Sequence, residues 1–216
     1  MVSCLNSYPK SQQEVLSCSD IELLAYLLQH QRCSAKLLTD VEQVHREYGG
    51  LRGVLRAPFS ALSQSLKRAP IPLYLAQEVC RRASLERLKR SHALTSPQLT
   101  RQYLLAELSD MPYEVFALLL LDTQHRVMRF HQVSQGTLNT AAIYPREVVK
   151  IVLEINAAAV ILVHNHPSGL CEPSHADKVI TERLVKTLKL IDVRVLDHIV
   201  VGETQICSFA ERGWIR

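Results

Sequence analysis

Between His164 and Asp177 the chain places two histidines, a serine and an aspartate at intervals that suit a metal ion. A strand alternates its side chains, so His164 and His166, two apart, project from one face of the strand that carries them and can share one ion. Catalytic zinc takes three protein ligands plus water, with histidine and carboxylate as usual partners, so a third ligand has to come from nearby. Pro167, Ser168 and Gly169 end the strand and turn the chain, and Pro173-Ser174-His175-Ala176-Asp177 then opens a helix. Asp177 falls in its first turn, where the helix dipole favours a carboxylate and the side chain can point back to the strand end. Ser174 and Asp177 also have the spacing of a capping box. The two readings are compatible, because a capped first turn orients a ligand.

The elements around this segment follow two grammars. From Asp20 to about Leu108 the pattern is helical. Asp20 is expected to cap DIELLAYLLQH, and Ser34 to open a second helix that Gly49 and Gly50 stop. A short helix near Phe59 to Lys67, a turn at RAPIP and a long helix from about Leu73 to Ser91 follow. SHALTSPQ reads as a linker, with Ser96 and Pro97 opening a last helix through Leu108. After Pro112 the period changes: EVFALLLLD and RVMRFHQV form a hairpin around Thr123, Gln124 and His125. Pro145 starts a helix leading into AVILVHNH, an apolar run typical of a central strand covered on both faces. A helix from Ser174 to about Leu190 and a strand, VRVLDHIVVG, complete the pattern. The expected fold class is α+β. A helical domain over residues 1–95 precedes an α/β domain over 96–216, with a mixed sheet between helices.

These residues carry a resemblance. His164-Asn165-His166-Pro167, six residues, Ser174, two residues and Asp177 match the JAMM pattern of the JAB/MPN metallohydrolases at every specified position, Asn165 being the freely variable one. HNHPSG, with GTLNTAAIYPREV before it and VLDHIVVG after it, is similar to the RadC family in particular, and LSCSDIELLAYLL and YGGLRGVL resemble that family's helical region. The resemblance implies a JAB/MPN fold, one zinc held by His164, His166 and Asp177, and hydrolysis of a peptide or isopeptide bond in a protein substrate. It also implies a glutamate just inside the first strand as general base, a position that Glu114 fills; spacing alone does not separate Glu114 from Glu147, which falls near a helix start. That glutamate would take a proton from water activated by the ion and pass it to the leaving amine. Ser174, where not spent as a cap, could donate to the developing oxyanion. His175 reads as surface, and His198 as a hydrogen-bonded strand histidine rather than a partner of a ligand.

Two other readings stand beside the hydrolase: a DNA-associated protein of repair or recombination, as the family's name suggests, and a catalytically silent metal-binding module. The letters HNH do not make an HNH nuclease, whose motif residues are not contiguous. The scattered cysteines form no C-x-x-C pair and read as free thiols, with Cys171 inside the suspected site. No run reaches the eighteen or so apolar residues of a membrane span, and no leader pattern opens the chain, so a cytoplasmic protein is expected.

The net charge of +4 is unevenly spread: Leu51 to Asp110 holds ten basic and four acidic residues, densest in RRASLERLKR from Arg81 to Arg90. Against phosphate recognition, the stretch LKRAPIPLYLAQEV departs from the glycine-rich helix-hairpin-helix of the RadC resemblance. It holds no glycine, and Pro70 and Pro72 lack amide hydrogens. Contacts limited to lysine and arginine side chains carry no sequence information and weaken steeply with salt. Duplex DNA binding is therefore expected to be weak, indifferent to sequence and largely lost between low and physiological salt. Tight binding at physiological salt in a fluorescence-anisotropy titration would overturn this expectation.

Overall fold

The computed structural model describes residues 9–29, 34–89, 97–136 and 143–215. Cys4, Cys33, Arg90, most of the expected linker and the TLNTAA part of the resemblance lie outside the described residues. The chain divides into two compact units, Met1–Cys80 and Arg81–Arg216.

The first unit is helical: α1 (Gln12–Leu16), α2 (Asp20–Leu28), α3 (Ala35–Glu47), α4 (Leu51–Arg56), α5 (Phe59–Leu66) and the start of α6 (Ile71–Lys89). The expected cap of α2 moves by one residue. Ser19 is the N-cap: its hydroxyl accepts from the Glu22 amide, and the Glu22 carboxylate accepts from the Ser19 amide at 2.8 Å. Glu22 stands three residues after Ser19, so this reciprocal box satisfies two end groups that Asp20 alone would leave to water. Ser34 caps α3 as expected, and Gly49 and Gly50 stop it with φ of 72° and 111°. Neither α1 nor α4 was expected; both are too short to show a helical period. Leu24, Leu37, Val41, Leu62 and Leu66 form the core. Between α5 and α6, Lys67 takes the left-handed conformation, φ 52°, that glycine adopts freely.

The second unit holds the end of α6, α7 (Pro97–Leu108), β1 (Val115–Leu121), β2 (Val127–Gln135), α8 (Pro145–Ile155), β3 (Ala159–Asn165), α9 (His175–Lys189), β4 (Arg194–Val201) and β5 (Ile206–Ser208). The expected hairpin closes through Asp122, whose carboxylate accepts from the Gln124 and Arg126 amides at 2.8 Å. The five strands form one mixed sheet in the order β2-β1-β3-β4-β5, with only β3 and β4 parallel. β5, three residues long, was not expected.

Alternation along β1 and β3 sorts the two faces. Ala117, Leu119, Ile161 and Val163 pack with Tyr103, Leu104 and Leu108 of α7. Phe116, Leu118, Val160 and Leu162 pack on the opposite side with Val148 and Val152 of α8 and Leu184 and Leu188 of α9. The chain is thus α+β, with helices on both faces of a mixed sheet. β1 and β3 are buried along their whole length, which ties the register of both: a slip of one residue would exchange the two faces. No helix among the described residues is long and apolar enough to cross a membrane.

Candidate metal centre

His164 shares a face of β3 with Val160 and Leu162, the face on which α9 packs. The strand ends at Asn165, and the His166 amide continues the ladder by donating to the Val201 carbonyl at 2.9 Å. The chain then turns back against β4. Gly169 takes φ +83° and its carbonyl accepts from the Glu203 amide at 2.9 Å. A Cβ on Gly202 would lie 2.5 Å from that carbonyl, so only glycine lets the turn approach so closely. This turn brings Ser174 to the N-terminus of α9.

Ser174 and Asp177 form a complete capping box. The Ser174 hydroxyl accepts from the Asp177 amide at 3.2 Å and donates to Asp177 Oδ2 at 2.7 Å, and the Ser174 amide donates to the same oxygen at 2.6 Å. The hydroxyl proton is therefore committed to the aspartate, and the geometry makes Ser174 an orienting group for Asp177. Asp177 is 1% exposed although it is a carboxylate in the first turn of a helix.

Three side chains converge here. His164 Nε2 lies 3.0 Å from His166 Nε2 and 3.3 Å from Asp177 Oδ1, and His166 Nε2 lies 3.6 Å from Asp177 Oδ2. Among the described residues this is the one group of three or more histidines, cysteines or carboxylates close enough to hold a metal ion; Cys171 is not in it and instead packs against Val200, Cys207 and Phe209. The His166 Nδ1 sits 2.9 Å from the Leu170 carbonyl, which can only accept, so Nδ1 carries a proton and the neutral ring presents Nε2 to the centre as an electron pair. Electron-pair donors so close repel one another unless a cation or a proton lies between them. Burial alone would raise the Asp177 carboxyl, but the imidazoles of His164 and His166 beside it outweigh burial and hold the group well below the usual carboxylate range. Asp177 in turn raises His166 against the effect of that ring's own burial, and Glu114 adds a smaller push the same way. His166, with 14% of its side chain exposed against 1% for the other two, marks the side open to solvent.

The two candidate bases separate. Phe116 pairs in register with His164, and Glu114 stands two residues earlier, just before β1. It lies half-buried, near enough to His166 to act on its charge. Glu147 stays at the start of α8, paired with Arg146 at 3.3 Å and Lys150 at 3.2 Å on an exposed surface. His175 is exposed.

Of two residues next to the centre, Asn165 was passed over in the sequence and His198 was read as a hydrogen-bonded strand histidine. Asn165 is a buried clamp on the backbone around Glu114: its Oδ1 accepts from the Val115 amide at 2.8 Å and its Nδ2 donates to the Tyr113 carbonyl at 3.1 Å. The Glu114 carbonyl itself accepts from the Gly136 amide at 2.9 Å. His198 is fully buried and does contact a proposed ligand: its Nε2 lies 2.8 Å from His164 Nδ1, and its Nδ1 lies 2.5 Å from the Thr181 hydroxyl. Burial, reinforced by His164, pushes His198 far below the ordinary imidazole range. Asp197 beside it points the other way. It pins the chain after β5 by accepting from Ser208 Oγ at 2.6 Å and the Ala210 amide at 2.8 Å, and burial raises its carboxyl.

The sequence profile of a RadC-like JAB domain matches residues 94–214, more than half of the chain. The chain belongs to that family. Over 200 residues it is 50% identical to the UPF0758 proteins of Shewanella sp. (strain W3-18-1), Shewanella putrefaciens (strain CN-32) and Shewanella oneidensis, covering 91% of this chain and 89% of each relative. The RadC-like JAB match takes in the whole site, from Glu114 to His198.

Because the Asn165 clamp is buried, removing it leaves the Val115 amide without a partner. Asn165→Ala is expected to destabilise the chain by about 2 kcal/mol, within the roughly 1–3 kcal/mol cost of an unsatisfied buried group. Urea denaturation of the full chain checks this, and a change below about 0.5 kcal/mol would mean the clamp carries little.

Proposed function

We propose that this RadC-like protein is a zinc-dependent hydrolase that cleaves a peptide or isopeptide bond, with His164, His166 and Asp177 as the metal ligands. The observation that carries the reading is the convergence of two imidazole nitrogens and a carboxylate at separations of 3.0, 3.3 and 3.6 Å. Ligand bonds of about 2.0–2.1 Å in a tetrahedral shell have edges of about 3.3–3.4 Å, so the donor set fits zinc in both chemistry and spacing. Zinc held by these three residues would be reached by water from the side where His166 meets solvent.

Zinc bound there supplies Lewis acidity, polarising a carbonyl and making water acidic enough to attack near neutral pH. Glu114 is the general base: half-buried just before β1, it takes the proton from the attacking water and returns it to the departing amine. Asn165 holds the backbone on both sides of Glu114, so the carboxylate works from a fixed point. Ser174 keeps Asp177 aimed at the two histidines; an oxyanion role would require its hydroxyl to leave the aspartate.

Protein purified without chelator should contain one zinc per chain by elemental analysis, and His164→Ala or Asp177→Ala should lose it while retaining helical circular dichroism. Glu114→Gln should keep the zinc and lose at least about 100-fold in hydrolysis of an isopeptide-linked fluorogenic substrate, the usual scale for a general base. Glu147→Gln should stay close to wild type. Full zinc occupancy in His164→Ala, or an inactive Glu147→Gln beside an active Glu114→Gln, would refute the assignment.

A further inference from the structure

The contacts of His198 lie outside the proposed ligand set and the proposed base, yet they reach the electron pair that His164 has to offer. Thr181 stands one turn after Asp177 on α9, and its hydroxyl has a single proton to place between two neighbours, the Asp177 carbonyl and His198 Nδ1. The carbonyl can only accept. If the proton pointed to His198, two oxygens would face each other at hydrogen-bond distance with nothing between them. The hydroxyl therefore donates to the Asp177 carbonyl, the back-bonding habitual for threonine in a helix, and its oxygen is left to accept.

The remaining protons follow. His198 Nδ1 donates to Thr181 at 2.5 Å, so its Nε2 carries the electron pair and accepts from His164 Nδ1 at 2.8 Å. His164 then holds its proton on Nδ1 and presents Nε2, as an electron pair, toward Asp177 Oδ1 at 3.3 Å. Reversing the chain would put a proton on His164 Nε2, pointing at that same oxygen and closing the position to a cation. Phe116 and Phe209, with ring centroids 5.7 and 4.7 Å from that of His198, flank the imidazole, which is 0% exposed, so solvent does not supply a competing partner.

We propose that His198, set by Thr181, is a positioning residue for the metal: a one-way chain of hydrogen bonds from the Asp177 backbone through Thr181 and His198 fixes His164 in its ligand tautomer. The chain begins on the backbone of Asp177 and ends facing its carboxylate, so one aspartate both binds the ion and sets the tautomer of its fellow ligand. This rests on the metal-binding reading of the centre. Groups behind a metal-bound histidine commonly govern affinity by about 10- to 100-fold.

In the full chain labelled with 15N-histidine and free of metal, a two-bond 1H–15N correlation spectrum should show the proton of both His164 and His198 on Nδ1. Zinc affinity, measured by chelator competition, should fall about 10- to 100-fold in His198→Phe and in Thr181→Val. It should return to within about threefold of wild type in His198→Gln, whose amide can accept from His164 and donate to Thr181. A proton on His164 Nε2, or unchanged affinity in His198→Phe, overturns the proposal. Should His198→Phe fail to fold, Thr181→Val, which removes only the hydroxyl, decides by the same threshold. A wild-type chain that binds no zinc would instead sink the metal reading, and the spectrum would still decide the relay.

Discussion

Electron-pair donors brought to 3.0–3.6 Å of one another repel, and His164, His166 and Asp177 are held there, with only His166 reaching solvent. Much of the second unit works against that repulsion. The buried pairing of β1 with β3 sets the face on which His164 stands, and the parallel pairing of β3 with β4 extends to the His166 amide. The Gly169–Gly202 approach folds the connecting turn flat enough to deliver α9. The Ser174 box then locks the first turn of that helix with Asp177 pointing inward. Each device is local and ordinary. Their joint effect is to place three acceptors on one point.

The same repulsion accounts for the electrostatics. An isolated carboxylate at 1% exposure would take up a proton rather than bear the cost of burial, yet the two histidines lower Asp177 below the usual carboxylate range and it in turn raises His166. A divalent cation satisfies the same three donors with more charge than a proton, and on the proposed reading it takes the proton's place. His198 is the neutral member of the group, kept so by burial.

What could be read from the residues depended on whether the deciding interaction was local. The alternation that pairs His164 with His166 and the helix start that offers Asp177 are properties of a few consecutive residues, as are the Pro145 helix start and the Asp122 turn. Likewise local, yet misassigned, was the cap of α2, where the reciprocal reach of Glu22 favours Ser19 over Asp20. Asn165 looked interchangeable because its task is to hold the backbone of a segment fifty residues earlier. His198 looked like an ordinary strand histidine because its meaning comes from register. His164 pairs with Val200, which sets His198 diagonally beside it on the same face of the neighbouring strand. Short elements such as α1, α4 and β5 carry too few residues for a period to emerge.

The central claim is that zinc sits among two imidazoles and one carboxylate. It is tested most directly by the zinc K-edge X-ray absorption spectrum of the full chain loaded with one equivalent of metal. The account predicts a shell of nitrogen and oxygen scatterers at about 2.0–2.1 Å with the outer-shell pattern of two imidazoles. A sulfur scatterer at about 2.3 Å, which would bring in a cysteine such as Cys171, or a shell without imidazole, would contradict it.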